Sequence, residues 1–208
     1  MDSATLRQTI EQSSKIRKWM EDIWDFLLVD DLTRYSWAKL KCGRSLELVG
    51  RAGSGAVIVL CEPEPDGRRP VLYVGSEGES GRIGCSLDET MQMMISVPQW
   101  KDCLHFSGDG QLEQMHRAQH ALEGELQQRW PKIDAIRVEL LEAFGLNWPE
   151  APLEKLHDAI MSAGTQYTMV SDDGEEYGSL FGRFTWREPP SPKPGLIGRL
   201  LGSSLERR

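Results

Sequence analysis

Over the first 28 residues, Leu6, Ile10, Ile16, Trp19, Met20, Ile23, Phe26 and Leu27 recur at three- and four-residue steps. That period predicts one amphipathic helix over residues 4–28 with a wide apolar face. Farther along, the period shortens. Residues 45–50 and 56–62 read as strands, and Ala56-Val57-Ile58-Val59-Leu60 is apolar at every position, as in a central strand covered on both faces. Glu62-Pro63-Glu64-Pro65-Asp66-Gly67 supplies a turn, residues 70–75 return as the antiparallel partner, and residues 82–85 can form a further short strand.

The helical period then resumes. Ser86 followed three residues later by Glu89 is a capping box, and it opens a helix that buries Leu87, Met91, Met94 and Ile95 before Pro98 stops it. Trp100, Cys103, Leu104 and Phe106 suggest a short second helical turn. Residues 112–130 form a polar helix with a narrow stripe of Leu112, Met115, Leu122 and Leu126. A helix over 132–144 is closed by Gly145, and Pro152 opens another that runs to Ile160, with Gly164 as its cap. Residues 166–170 and 180–186 read as a second hairpin around Ser171-Asp172-Asp173-Gly174-Glu175-Glu176. The order predicts an α+β fold, a central and mostly antiparallel sheet flanked by helices, with residues 1–186 as a single domain. The run Pro189-Pro190-Ser191-Pro192-Lys193-Pro194 cannot feed a sheet, so residues 187–208 are expected to be a Pro-rich linker and flexible tail.

Composition narrows the class of partner. With 24 Lys and Arg against 32 Asp and Glu, the net charge is −8. Binding driven by phosphate neutralisation needs clustered basic residues, so nucleic acid is not expected as a partner. An acidic surface attracts a basic protein, although solubility alone also explains acidity. Cys42, Cys61, Cys85 and Cys103 are scattered without a Cys-x-x-Cys pair, which fits reduced thiols and a cytoplasmic location. The sequence offers neither a charged lead followed by an apolar core nor an apolar run long enough to cross a bilayer, so no membrane association is expected.

Few constellations carry chemistry. Gly50-Arg51-Ala52-Gly53-Ser54-Gly55 has the glycine density of a phosphate loop, but a strand follows it and no Lys-Ser/Thr trails it, so it reads as a turn. His116 and His120 at i and i+4, near Glu113 and Glu123, could place two imidazoles on one metal ion, but the His-Glu-x-x-His order is absent and a solvated helix face is favoured. Cys103 and His105 as thiol and base would point apart at i,i+2. No metal, cofactor or catalytic residue is therefore assigned. The best candidates for partner binding are carboxylates: Glu77, Glu79, Asp88 and Glu89 around the glycines at 78 and 81, with Asp172, Asp173, Glu175 and Glu176 as a second acidic turn. Asp88 and Glu89 have an alternative role at a helix N-terminus. Among seven tryptophans, Trp24 sits one residue off the first apolar stripe and is the candidate exposed aromatic.

Residues 70–106 resemble a known pattern. Pro70-Val71-Leu72-Tyr73-Val74-Gly75-Ser76-Glu77-Gly78-Glu79-Ser80-Gly81, then Ile83, then Ser86-Leu87-Asp88-Glu89 is similar to the strand, acidic loop, short strand and helix of the SUKH superfamily, the Smi/Knr-type domains. Pro98-x-Trp100-x-Asp102-Cys103-Leu104 continues as in actinobacterial relatives. The N-terminal region departs from that pattern, and the helices beyond Leu112 have no counterpart in it. The resemblance implies an α+β domain without catalytic residues that acts as a bacterial immunity protein, binding and neutralising a cognate toxin. The alternatives are a metal-dependent hydrolase using His116 and His120, and a self-associating scaffold subunit whose surplus of tryptophan serves a homo-oligomer.

Overall fold

The computed structural model describes residues 1–29, 37 and 39–187. The chain runs α1 (Ser3–Gln12), α2 (Ser14–Asp22), β1 (Lys39–Leu40), β2 (Leu46–Arg51), β3 (Val57–Cys61), β4 (Val71–Val74), β5 (Ser80–Gly84), α3 (Leu87–Ser96), α4 (Trp100–His105), α5 (Leu112–Arg129), α6 (Ile133–Ala143), α7 (Pro152–Met161) and β6 (Met169–Val170). The fold is α+β. Strands β2, β3, β4 and β5 pair in sequence order as an antiparallel meander, and β1 pairs with β6 as a separate two-stranded ribbon.

Every residue of β3 and β4 is buried because the sheet is covered on both faces. Alternation along the strands sends Ile58, Leu60, Val71 and Tyr73 into the larger core, which the helices complete. Val57, Val59, Cys61, Leu72 and Val74 face the other way, onto Leu40 and Met169 of the ribbon and Tyr167 beside it. The apolar run at 56–60 thus serves two cores at once. The capping box forms as expected: the Ser86 side chain accepts from the Glu89 amide at 3.2 Å, and Glu89 accepts from the Cys85 amide at 2.7 Å. Gly145, at φ +65, ends α6.

Three expectations are corrected. The helix over 4–28 is two helices, because Ser13 leaves helical geometry and its hydroxyl caps α2 by accepting from the Ile16 amide. The chain then leaves the helix after Asp22, and Leu27 pairs with Arg51 through two backbone bonds of 2.8 and 3.0 Å, adding to the edge of β2. Gly164 is extended rather than left-handed and precedes a 3-10 turn at Thr165–Tyr167, so it does not cap α7. Residues 166–170 and 180–186 do not pair with each other. β6 joins β1 and curls tightly onto Glu176, while Thr185 bridges to Ser107. Of the linker and tail, residues 188–208 lie outside the described residues. Among the described residues, no helix is long and apolar enough to cross a membrane.

Candidate functional site: an acidic cleft at the end of the sheet

The meander turns between β4 and β5 through residues 75–79. The Gly75 amide donates to the Glu79 carbonyl at 2.8 Å, and Gly78 takes φ +88, a conformation that glycine adopts without strain. The turn carries Glu77 in solvent, while the Glu79 side chain folds back over Gly75, so close that a β-carbon there would lie 1.7 Å from Oε1.

Against this turn lies α4. Trp100 at its start is 1% exposed and meets Tyr73 edge-on, with ring centroids 5.1 Å apart. A third element closes the arrangement. Residues 179–186 cross the C-terminal end of α4 as a strap, held where the Gly182 amide donates to Leu104 O at 2.9 Å, Asp109 N donates to Gly182 O at 2.8 Å, and Gly108 N donates to Phe184 O at 2.8 Å. Contact is closest at Gly182, where a β-carbon would sit 2.2 Å from the His105 carbonyl oxygen. Gly182→Ala is therefore expected to lift the strap and cost about 1–3 kcal/mol, the usual penalty of an overpacked contact. Thermal unfolding and amide exchange at residues 104–109 would read this loss, and unchanged protection there would contradict it.

Turn, helix and strap enclose an open cleft of about 580 Å³. Tyr73, Trp100 and Phe181 give it aromatic walls, and Glu77, Glu79 and Asp102 give it carboxylates. None of these three carboxylates makes an ion pair among the described residues. Lys101 also lines the cleft, but its ammonium is 2.6 Å from Asp25, whose other oxygen accepts from the Gly53 amide at 2.7 Å. His105 is stacked on Phe184 with centroids 4.8 Å apart. The excess of negative charge is unbalanced locally.

The electrostatics follow from burial. Loss of solvent, aided by the nearby Glu79 carboxylate, pushes the Tyr73 hydroxyl up to about 12, so it stays protonated. Asp102 is exposed at the rim, yet the protein mass around it raises its carboxyl, with Lys101 and His105 pulling the other way. By sign, ionising Asp102 costs folding free energy as pH rises through its raised value, and a cation beside it would offset that cost.

The two acidic loops are neighbours, although 93 residues separate Glu79 from Asp172. Just past the second acidic turn, Gly178 donates to Gly78 O at 2.7 Å and accepts from Ser80 N at 2.9 Å, zipping the segment along the first loop. Tyr177 has its hydroxyl raised mainly by burial and then by both Asp172 and Glu79. Within the second turn, Asp172 pairs with Lys39 and Glu176 with Lys41, while Asp173 and Glu175 are exposed. Exposed pairs of this kind contribute little stability and exchange readily for a partner's cation.

Other expected site residues fall elsewhere. Trp24 is not an exposed aromatic: it is 1% exposed, and its indole donates to Met94 O at 2.8 Å. The end of α2 at Asp22 resets the phase on which its outward position depended. Asp88 pairs with the Met1 amino group at 2.6 Å, Glu89 is committed to the capping box, and neither lines the cleft. His116 and His120 are exposed on α5. His116 lies 3.1 Å from Glu154, Glu113 is taken by Arg117 and Glu123 by Arg137, so no carboxylate completes a ligand set. Among the described residues no group of three or more His, Cys, Asp or Glu has metal-binding geometry. Cys103 is fully buried with its thiol raised to about 12, which makes it an inert core residue.

Tyr73, Lys101, Asp102 and Phe181 of the cleft carry no motif that singles them out as site residues. The faint sequence trace is the Trp100-x-Asp102 step just after Pro98. Comparison with known proteins adds no relative: no family model, curated protein or solved structure matches this chain.

Proposed function

We propose that this chain is a non-catalytic protein-binding domain that receives a basic macromolecular partner on the surface formed by its two acidic loops and the cleft beside them. The observation that carries the proposal is that Glu77, Glu79 and Asp102, none of them ion-paired among the described residues, line one open cleft, with the second acidic turn leading into a segment that bridges to the first loop beside it. Charge of one sign gathered this way steers an oppositely charged partner and favours rapid association. Beside the cleft, the Cys103 thiol is buried and raised to about 12 and the His105 ring is stacked on Phe184, so this pair does not form a nucleophile with its base.

The more specific proposal is an immunity protein that occludes a cognate bacterial toxin domain. It rests on the similarity of residues 70–106 to SUKH domains, in which the same turn and helix carry the acidic loop. Affinity capture from native lysate at low ionic strength is expected to recover one dominant basic protein, released as salt screens the contact. A folded, immobilised chain that retains no protein at low salt would contradict the proposal, and so would a partner whose retention ignores salt.

A further inference from the structure

We propose that the far side of the strap is a second docking groove, opposite in charge to the cleft, that takes a short acidic segment of a protein with apolar side chains at its centre. The inference goes beyond the protein-binding function proposed above, which concerns the acidic side alone. Residues 179–182 line the cleft, whereas Arg183, Phe184, Thr185, Trp186 and Arg187 line a separate open groove of about 490 Å³ together with Phe106, just past α4. Backbone pairing steers the chain there. Beyond Gly182, Gly108 N donates to Phe184 O at 2.8 Å, and Thr185 bridges to Ser107 in antiparallel sense.

That pairing lays four rings in a row. Phe184 stacks on His105 with centroids 4.8 Å apart, His105 meets Phe106 edge-on at 5.0 Å, and Phe106 meets Trp186 edge-on at 5.1 Å. Phe184 is nonetheless 60% exposed, and Phe106 and Trp186 are half-buried. Rings held by their neighbours yet open to solvent offer an apolar side chain a surface to cover with little loss of conformational freedom. Arg183 and Arg187 flank the two strap rings in sequence. Both are exposed, and their guanidinium groups make no ion pair or hydrogen bond among the described residues. No carboxylate lines the groove among the described residues. Charge and surface together call for carboxylates beside an apolar side chain, since a guanidinium holds a carboxylate through two parallel N–H groups. A polyphosphate strand shares part of this chemistry, but its charge runs on along the surface, and across the strap Glu77, Glu79 and Asp102 repel it. A short acidic peptide segment keeps its charge within the groove.

The test is a titration of the full ¹⁵N-labelled chain with the hexapeptide acetyl-Glu-Asp-Phe-Leu-Glu-Asp amide, followed by NMR at the Trp186 indole and the amides of residues 183–187. Expected are saturable shifts at those signals. Two control peptides should bind several-fold more weakly: the neutral isostere with Gln and Asn for Glu and Asp, and the acidic peptide with Ser for Phe and Leu. Arg183→Gln together with Arg187→Gln should weaken the acidic peptide about tenfold, as loss of charge-assisted bonds implies. Both arginines are at the surface and unpaired among the described residues, so the variant should fold, and its spectrum reports that directly. The groove would be overturned by the absence of saturable shifts at these signals, by equal binding of either control peptide, or by unchanged binding to the folded arginine variant. Tighter binding of oligothymidylate than of the peptide would overturn it too, as would a Trp186 signal that moves on dilution of the free chain, the mark of a second copy in the groove.

The two proposals fail separately. Capture of a salt-released basic partner by a chain that ignores the acidic peptide would remove the groove and leave the function proposed above standing. Saturable peptide binding by a chain that captures no protein would keep the groove and remove that function.

Discussion

Trp24→Ala is expected to lower the unfolding midpoint by about 6–20 °C, the largest stability loss foreseen for any residue named above. A fully buried tryptophan cut to alanine costs about 3–5 kcal/mol in lost burial and residual cavity. The loss has two parts here. Trp24 fills the core between α2 and the sheet, and its indole satisfies the Met94 carbonyl near the end of α3. Without it that carbonyl loses a side-chain partner in a site that water does not reach. Trp148, at 55% exposed, is the matched control, and its replacement by alanine should move the midpoint little. Equal effects of the two substitutions, read by calorimetry, would mean that Trp24 is not the core residue described.

Reversing charge in the cleft should have the largest functional effect. With the captured partner in hand, Glu77→Lys combined with Glu79→Lys is expected to raise its Kd at least about 100-fold, since like charges juxtaposed across an interface cost several kcal/mol. Stability should hardly change, because neither carboxylate forms an ion pair among the described residues. Glu125→Lys, on the exposed side of α5 and outside the cleft, makes the same kind of change in charge for one residue. Its effect should be only the modest loss that comes from weakened long-range steering. Calorimetric titration separates the outcomes. Similar losses from the cleft variant and from Glu125→Lys would show that net charge, rather than this surface, governs association.

How much of this was legible in the sequence depended on whether the deciding interaction was local. The strands β3 and β4 were readable because every position is apolar, the runs are short and rich in valine and isoleucine, and turn residues bound them, as in a sheet covered on both faces. The capping box at Ser86 and Glu89 and the stop at Gly145 were readable because each is complete within a few residues. The break at Ser13 was hidden by an apolar stripe that continues in register across it, while a single serine cap decides the backbone.

Pairing partners were less legible still. Residues 180–186 alternate well enough for a strand, but no local pattern says that Gly182 alone has clearance to pass the His105 carbonyl. The strap follows from that steric fact, and with it the third wall of the cleft. For the same reason the acidic residues Glu77 and Glu79 could be nominated as exposed carboxylates, whereas Asp102 and the aromatic walls could not. Their proximity is made by β4, α4 and the strap together. Asp88 and Glu89 show the converse: carboxylates that the sequence places beside the site are spent on capping and on an amino group.

On the function proposed above, this fold presents its partner with a preformed anionic surface and carries out no chemical step. Hydrogen–deuterium exchange on the chain with its captured partner tests this most directly. Protection is expected to be concentrated in residues 75–82, 100–105 and 172–182. Protection confined instead to the α5 and α6 helices, with those three segments exchanging as in the free chain, would contradict it.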